Sequence, residues 1–327
     1  MIGKTNITLE YKKIGTNRTE IMGFSIIMIM LFHCGLVSIG DIGVDLFLFI
    51  SGYSMYHSLS KNDNTQTFLI KRADRILPMY LIVAIPYYIY NSSTIGDFFL
   101  RITNVAVFTE GYLNGWWFIG AICFCYAFSP ILYKEIKRHN RYKYIAIILI
   151  SFVCYLIGYF FENSSIVMFR IPDFLVGFLV ADNINDDKIK SNDKLLLVLT
   201  VVFMGIFFVA LFTNKISLIW KYKNVVYSIL TFPIVSLLGM VLQRIKGIVK
   251  EILSFFGTIT LELYLLHEYF SKPLAKNILN SYSGGVIFTF LDVLLSIIIA
   301  LLMAYILHMI IGHFLSSPIK TMIKRWK

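Results

Sequence analysis

The chain has 327 residues, 57% hydrophobic and only 15% charged, with 28 Phe and 20 Tyr. A soluble domain is nearer about half apolar and about a quarter charged, so this composition excludes an ordinary soluble fold and points to a polytopic membrane protein. The formal net charge of +11 does not point to nucleic acid: Lys and Arg cluster in short segments between apolar runs, a topology signal rather than a DNA-binding face.

A span needs about 20 mostly apolar residues. The first 20 residues are polar, and no small-residue cleavage site follows the first apolar run, 21–38, which is therefore expected to stay as a signal anchor. This run, with "IMIMLFHCGL" at its centre, holds His33. His33 lies fifteen residues beyond Arg18. That is about 22 Å along a helix, in the outer half of a core about 30 Å thick. The second expected span, 43–60, carries Asp45 near its outer end. In "TFLIKRADRILPMYL" (67–81), Lys71, Arg72 and Arg75 can share one helical side, and Pro78 is expected to start the third helix, 76–91. These cations fit either an inside-positive stop signal or an anion site for phosphates.

The segment 97–115 is partly apolar and expected at the interface. Trp116 and Trp117 open the fourth span, 114–133, where tryptophans commonly anchor a helix end. Cys123 and Cys125 would point about 200° apart there, so they form no dithiol or metal clip, and no metal is expected. Spans 143–161 and 165–182 follow, with Arg170 early in the second and Asp173 one turn away as a local partner. Spans 194–213 and 224–243 precede 251–270, which holds Glu262 and ends on His267 and Glu268. His308 and His313 lie toward the inner end of the last span, 286–315, and are expected to be interfacial.

The map is an all-α bundle of about ten transmembrane helices in the cell (plasma or inner) membrane, with both termini cytoplasmic. Of the 30 Lys and Arg, 23 fall in one alternate set of connections and six in the other, as the positive-inside rule requires. Residues 1–327 form one domain, with a cytoplasmic N-terminal segment, 1–20, and a basic cytoplasmic tail, 316–327. Ionisable groups inside a bilayer cost about 2.5–3.5 kcal/mol each on insertion scales, so they face the bundle interior. Asp45, Trp117, Arg170, Glu262 and His267 lie at depths similar to His33. One outer cavity is expected to gather them, with Arg170, Glu262 and Asp45 neutralising one another and His33 free for proton transfer. A helix–helix hydrogen bond is the alternative role for a lone intramembrane histidine.

Several stretches together resemble a known family. "MGFSIIMIMLFH", "GVDLFLFISGYSMY" and "FLIKRADRILPMYL", then "WWFIGAICFCYAFSPIL" (116–132), "FRIPDFLVGFLVAD" (169–182) and "GTITLELYLLHEYF" (257–270), are similar in order and spacing to the integral-membrane acyltransferase-3 family. The resemblance covers nearly the whole chain. It implies transfer of an acyl group, usually acetyl, from a cytoplasmic coenzyme A thioester to a sugar hydroxyl of a surface or lipid-linked glycan. The family's catalytic histidine corresponds to His33, its arginines after the second helix to Arg72 and Arg75, and its "SGY" to Ser51, Gly52 and Tyr53. The family commonly has Arg where this chain has Met22. Arg18 lies only about 40° around the helix from Met22 and is the expected substitute.

On this reading His33 is the general base, or accepts the acyl group itself. Arg170 and Trp117 are candidate oxyanion donors. Arg18, Lys71, Arg72 and Arg75 hold the coenzyme A phosphates. Asp45, Ser51, Tyr53, Glu262 and His267 are candidate acceptor contacts, with the groove opening outward near Asp45, Trp117 and His267. The chain ends about ten residues after its last expected span, so transfer is expected to finish within the membrane domain or on a separate protein. The rival reading is a transporter or flippase for a lipid-linked glycan.

Overall fold

The computed structural model describes residues 12–111, 115–185, 205, 216–279 and 286–314. Among them every regular element is helical. In chain order the helices are α1 (Lys12–Thr16), α2 (Arg18–His33), α3 (Ile42–Lys61), α4 (Thr65–Asn91), α5 (Ile95–Ile102), α6 (Val107–Glu110), α7 (Trp117–Arg138), α8 (Lys143–Phe160), α9 (Ser165–Met168), α10 (Ile171–Asn185), α11 (Ile216–Arg244), α12 (Ile248–Thr258), α13 (Thr260–Leu266), a π-helical turn (His267–Ser271), α14 (Lys272–Leu279) and α15 (Val286–Phe314).

Five stretches among the described residues are long and apolar enough to cross a membrane: Trp117–Arg138, Lys143–Phe160, Glu162–Ile184, Lys223–Arg244 and Leu291–Ile311. They match the expected fourth, fifth, sixth, eighth and tenth spans, while 194–213 lies outside the described residues apart from Gly205. The first expected span is shorter than read: α2 has 16 residues and ends at His33, about 24 Å of helix. The third is longer. Pro78 does not start a helix but sits inside α4, as does Pro86. A helix among others can re-satisfy the carbonyl that a proline leaves free, which a lone helix in water does less readily. Instead α4 starts at Asn64, whose side chain accepts a 2.8 Å bond from the Thr67 amide.

The ninth expected span, 251–270, is not one helix. It breaks at Ile259, between α12 and α13, and loosens into the π turn at His267. Interruptions of this kind occur in membranes only where protein surrounds them, and Thr260, Leu263, Leu265 and His267 are all buried.

Side-chain contacts show that α2, α3, α4 and α7 run in alternate directions. Arg18 meets Ser54 near the end of α3, Arg72 at the start of α4 meets Ser58, and Lys134 near the end of α7 reaches Thr65. Those residues mark a basic end. At the opposite end Trp116 meets Leu265, Arg170 meets Asp45, and His33 meets His267.

Two backbone-to-backbone packings hold the centre. A Cβ on Gly52 of α3 would stand 2.0 Å from the Phe174 carbonyl oxygen, and one on Gly177 of α10 would stand 2.0 Å from that of Phe49. Gly23 of α2 and Gly257 of α12 make a second reciprocal pair, against Leu253 and Thr19. Small residues are what allow membrane helices this close an approach. The outer helices are looser: 72% of the Glu162–Ile184 stretch is buried, but only 22% of Lys143–Phe160 and of Leu291–Ile311, so α8 and α15 present apolar faces to lipid. In 97–115, the segment expected at the interface, α5 exposes Ile95, Phe99 and Leu100. Its Asp97 pairs with Arg101 at 2.6 Å. The Ser93 amide and that guanidinium hold the Asp97 carboxyl below its ordinary range.

Candidate active site

A cavity of about 560 Å³ opens between α2, α3, α4, α7, α12, α13 and α15. From α2 it takes Arg18, Met22, Ile26 and Ile29, residues three and four apart that form one helical face. Arg18 and Met22 therefore do border the same space, as their 40° separation requires. The mouth is cationic, with Arg18, Lys61, Arg72 and Arg75. Arg72 donates to Ser58 Oγ at 2.9 Å and packs over the Phe68 ring at 5.3 Å, while its buried Nε has no partner among the described groups. Lys71 is exposed and does not line the cavity: on α4 it points away while Arg72 and Arg75 face in. Deeper, the walls turn apolar, with Ile26, Ile29, Ile50, Ile119 and Ile122. Ser51 borders the cavity with Tyr126, whereas Tyr53 is buried beside it, edge-on to His57 at 4.6 Å.

Glu262 belongs to this cavity, not to a group with Arg170 and Asp45. Its carboxylate lies 2.5 Å from His308 Nδ1, and both residues line the wall. His308, expected to be interfacial, thus lines the cavity, and His57, assigned no role from the sequence, also lines it.

The cavity stops short of His33, which sits one helical turn past Ile29 on α2. His33 Nδ1 lies 2.7 Å from His267 Nε2, with the rings stacked at 4.9 Å. On its other side His33 Nε2 is 3.7 Å from Glu268 Oε2. His33 is the last residue of α2, and its carbonyl, which has no partner within the helix, accepts a 2.6 Å bond from Lys272 Nζ. His267 Nδ1 lies 2.9 Å from the Leu263 carbonyl oxygen and 3.1 Å from that of Tyr264. His267 is therefore buried against the protein rather than open to an outward groove. His33, His267 and Glu268 offer three ligand atoms within 4.8 Å of one another. However, two nitrogens on one zinc at about 2.05 Å would stand about 3.3 Å apart. The 2.7 Å contact is a hydrogen bond, and it would have to break for a metal to use both nitrogens.

Beside this pair lies a buried ion network. Arg170 reaches Asp45 at 3.2 Å and Asp41 at 3.6 Å and lies over the Trp117 ring at 5.1 Å. Asp41 also takes Lys223 at 2.5 Å and the Tyr227 hydroxyl at 3.1 Å. The local Arg170–Asp173 pair is not formed; Asp173 accepts from Ser228 Oγ at 3.0 Å instead. Asp45 is fully buried on Arg170, so it does not line an open groove. Trp116 is no interfacial anchor either. It is fully buried and donates from Nε1 to the Leu265 carbonyl at 3.0 Å, bracing the helix that carries His267. Lys223 links the two groups, standing 5.6 Å over the ring of Phe32, the neighbour of His33.

The described helices thus form a bundle in which a basic-mouthed cavity leads toward a histidine pair, His267 buried and His33 part-buried. The acyltransferase domain family model matches residues 23–309. The chain therefore belongs to the acyltransferase-3 family and is a membrane acyltransferase. No curated protein and no solved structure matches it.

Proposed function

We propose that the protein is an O-acyltransferase moving an acetyl group from acetyl-coenzyme A to a sugar hydroxyl of a cell-envelope glycan. The observation that carries this reading is the cavity: cationic at its mouth, isoleucine-lined deeper in with Glu262 and His308 on its wall, and ending one turn of α2 below His33. Coenzyme A matches that gradient, with phosphates at one end, a long pantetheine arm, and a thioester at the other. Arg18, Arg72 and Arg75 take the phosphates through charge-assisted hydrogen bonds, with Arg18 standing in for the family arginine that Met22 replaces. The basic end faces the cytoplasm, where the donor is made, and the His33 end faces outward.

Transfer then proceeds at His33 Nε2. As the acceptor hydroxyl oxygen attacks the thioester carbon, its proton passes to His33, the carbon–oxygen bond forms and the carbon–sulfur bond breaks. The leaving thiolate takes the proton back, giving an acyl ester and free coenzyme A. In the two-step version His33 Nε2 itself attacks and later hands the acyl group to the hydroxyl. Arg170 serves this chemistry by positioning: two carboxylates already hold its guanidinium, so it anchors Asp45 and Trp117 beside the site.

Purified protein given acetyl-coenzyme A is expected to release free thiol, faster when an acceptor glycan is added. A transporter would bind or move glycan and release none, and that result would overturn the reading.

A further inference from the structure

We infer that His267 locks His33 in the tautomer protonated on Nδ1, leaving His33 Nε2 as the lone pair that does the chemistry. His267 Nδ1 faces the oxygens of Leu263 and Tyr264 at 2.9 and 3.1 Å. Carbonyl oxygens only accept, so Nδ1 carries a hydrogen. A neutral imidazole has one donor and one acceptor nitrogen, so His267 Nε2 is a lone pair. It stands 2.7 Å from His33 Nδ1. Two lone pairs do not meet at that distance, so His33 Nδ1 carries the hydrogen and donates it.

The opposite arrangement needs a second proton on His267. His267 is 5% exposed, and among the described residues no carboxylate pairs with it. Lys272, four residues on from Glu268, already brings an ammonium to the His33 carbonyl. A second buried cation beside it would be poorly compensated. The local fold supplies the lock: the π turn begins at His267, and the side chain folds back on the carbonyls three and four residues earlier.

The catalytic half of this inference rests on the acyltransferase reading; the tautomer does not. When Nε2 takes the hydroxyl proton, His33 becomes an imidazolium whose Nδ1–H bond to His267 strengthens. Glu268 Oε2, 3.7 Å from Nε2, faces the same developing charge. His267 is then a positioning residue whose effect falls on turnover rather than donor binding.

The test uses the full chain in detergent with its histidine side chains labelled with nitrogen-15. Ring nitrogen shifts and couplings report each tautomer, and His33→Gln identifies the His33 signals. The wild type is expected to show His33 protonated on Nδ1. His267→Leu is expected to abolish that preference and lower kcat on acetyl-coenzyme A by about 100-fold or more, with KM for the donor little changed. His267→Gln, whose side-chain oxygen can sit near the place of Nε2 and accept, is expected to restore the tautomer and most of kcat. Wild-type His33 protonated on Nε2 would overturn the inference, as would a His267→Leu protein that folds and turns over normally. If the tautomer is as stated but no thiol is released by the wild type, the acyltransferase reading fails and the positioning stands.

Discussion

At the scale of single residues, position and resemblance together single out His33, Arg72 and Arg75. A histidine deep in an apolar run and a cluster of cations just outside one are visible in any sequence. Arg72 and Arg75 line the cavity mouth. Each charge-assisted contact to a phosphate contributes about 1.5–3 kcal/mol. Arg75→Ala is therefore expected to raise the apparent KM for acetyl-coenzyme A about tenfold or more, with kcat and acceptor KM nearly unchanged; an unchanged donor KM would remove the phosphate assignment. Arg170 behaves differently, because Lys223 compensates Asp41 but no other cation among the described residues pairs with Asp45. Arg170→Leu is expected to destabilise the fold by about 3–5 kcal/mol through a stranded buried carboxylate. Pairing it with Asp45→Asn should recover part of that loss in thermal unfolding. The pairing of Glu262 with His308 was not legible. The two are 46 residues apart, and no periodicity within one helix links a carboxylate on α13 to a histidine on α15.

At the scale of elements, the apolar runs gave the long helices but not their interruptions. Composition alone cannot distinguish a continuous span from α12, α13 and the π turn, because the breaks replace helical hydrogen bonds with contacts to neighbours. Pro78 misled for the converse reason: its neighbours let α4 continue. The "SGY" stretch acquires a physical meaning at this level. Gly52 is there because α10 lies against it, 2.0 Å from where a Cβ would be. Gly52→Leu is expected to cost about 1–3 kcal/mol or more, lowering Tm or accumulation in the membrane. Ser51→Ala, which removes one buried hydroxyl beside Tyr126, is expected to cost about 1 kcal/mol. Equal stability of the glycine variant would mean that α3 and α10 are farther apart than described.

At the scale of the whole molecule, the alternation of basic connections and the directions of α2, α3, α4 and α7 agree, although they come from independent features. One counts charges between apolar runs; the other follows hydrogen bonds such as Arg18–Ser54 and Arg170–Asp45. The basic end is expected to face the cytoplasm. In a protein with Cys34, Cys123, Cys125 and Cys154 replaced by Ser, Lys61→Cys should be shielded from an impermeant thiol reagent added outside intact cells, and Leu36→Cys should react. The reverse pattern would turn the donor cavity outward and remove its access to coenzyme A.

The proposed role of His33 is to carry acyl transfer from a donor held in the cavity. Its most direct test supplies acetyl-coenzyme A labelled on the acetyl group to purified wild type and to His33→Ala, following label and free thiol together. The wild type is expected to release thiol and pass label to water, protein or an added glycan, while His33→Ala still binds donor but falls by about 100-fold or more in thiol release. Equal turnover by both proteins would contradict the claim and remove His33 from the mechanism.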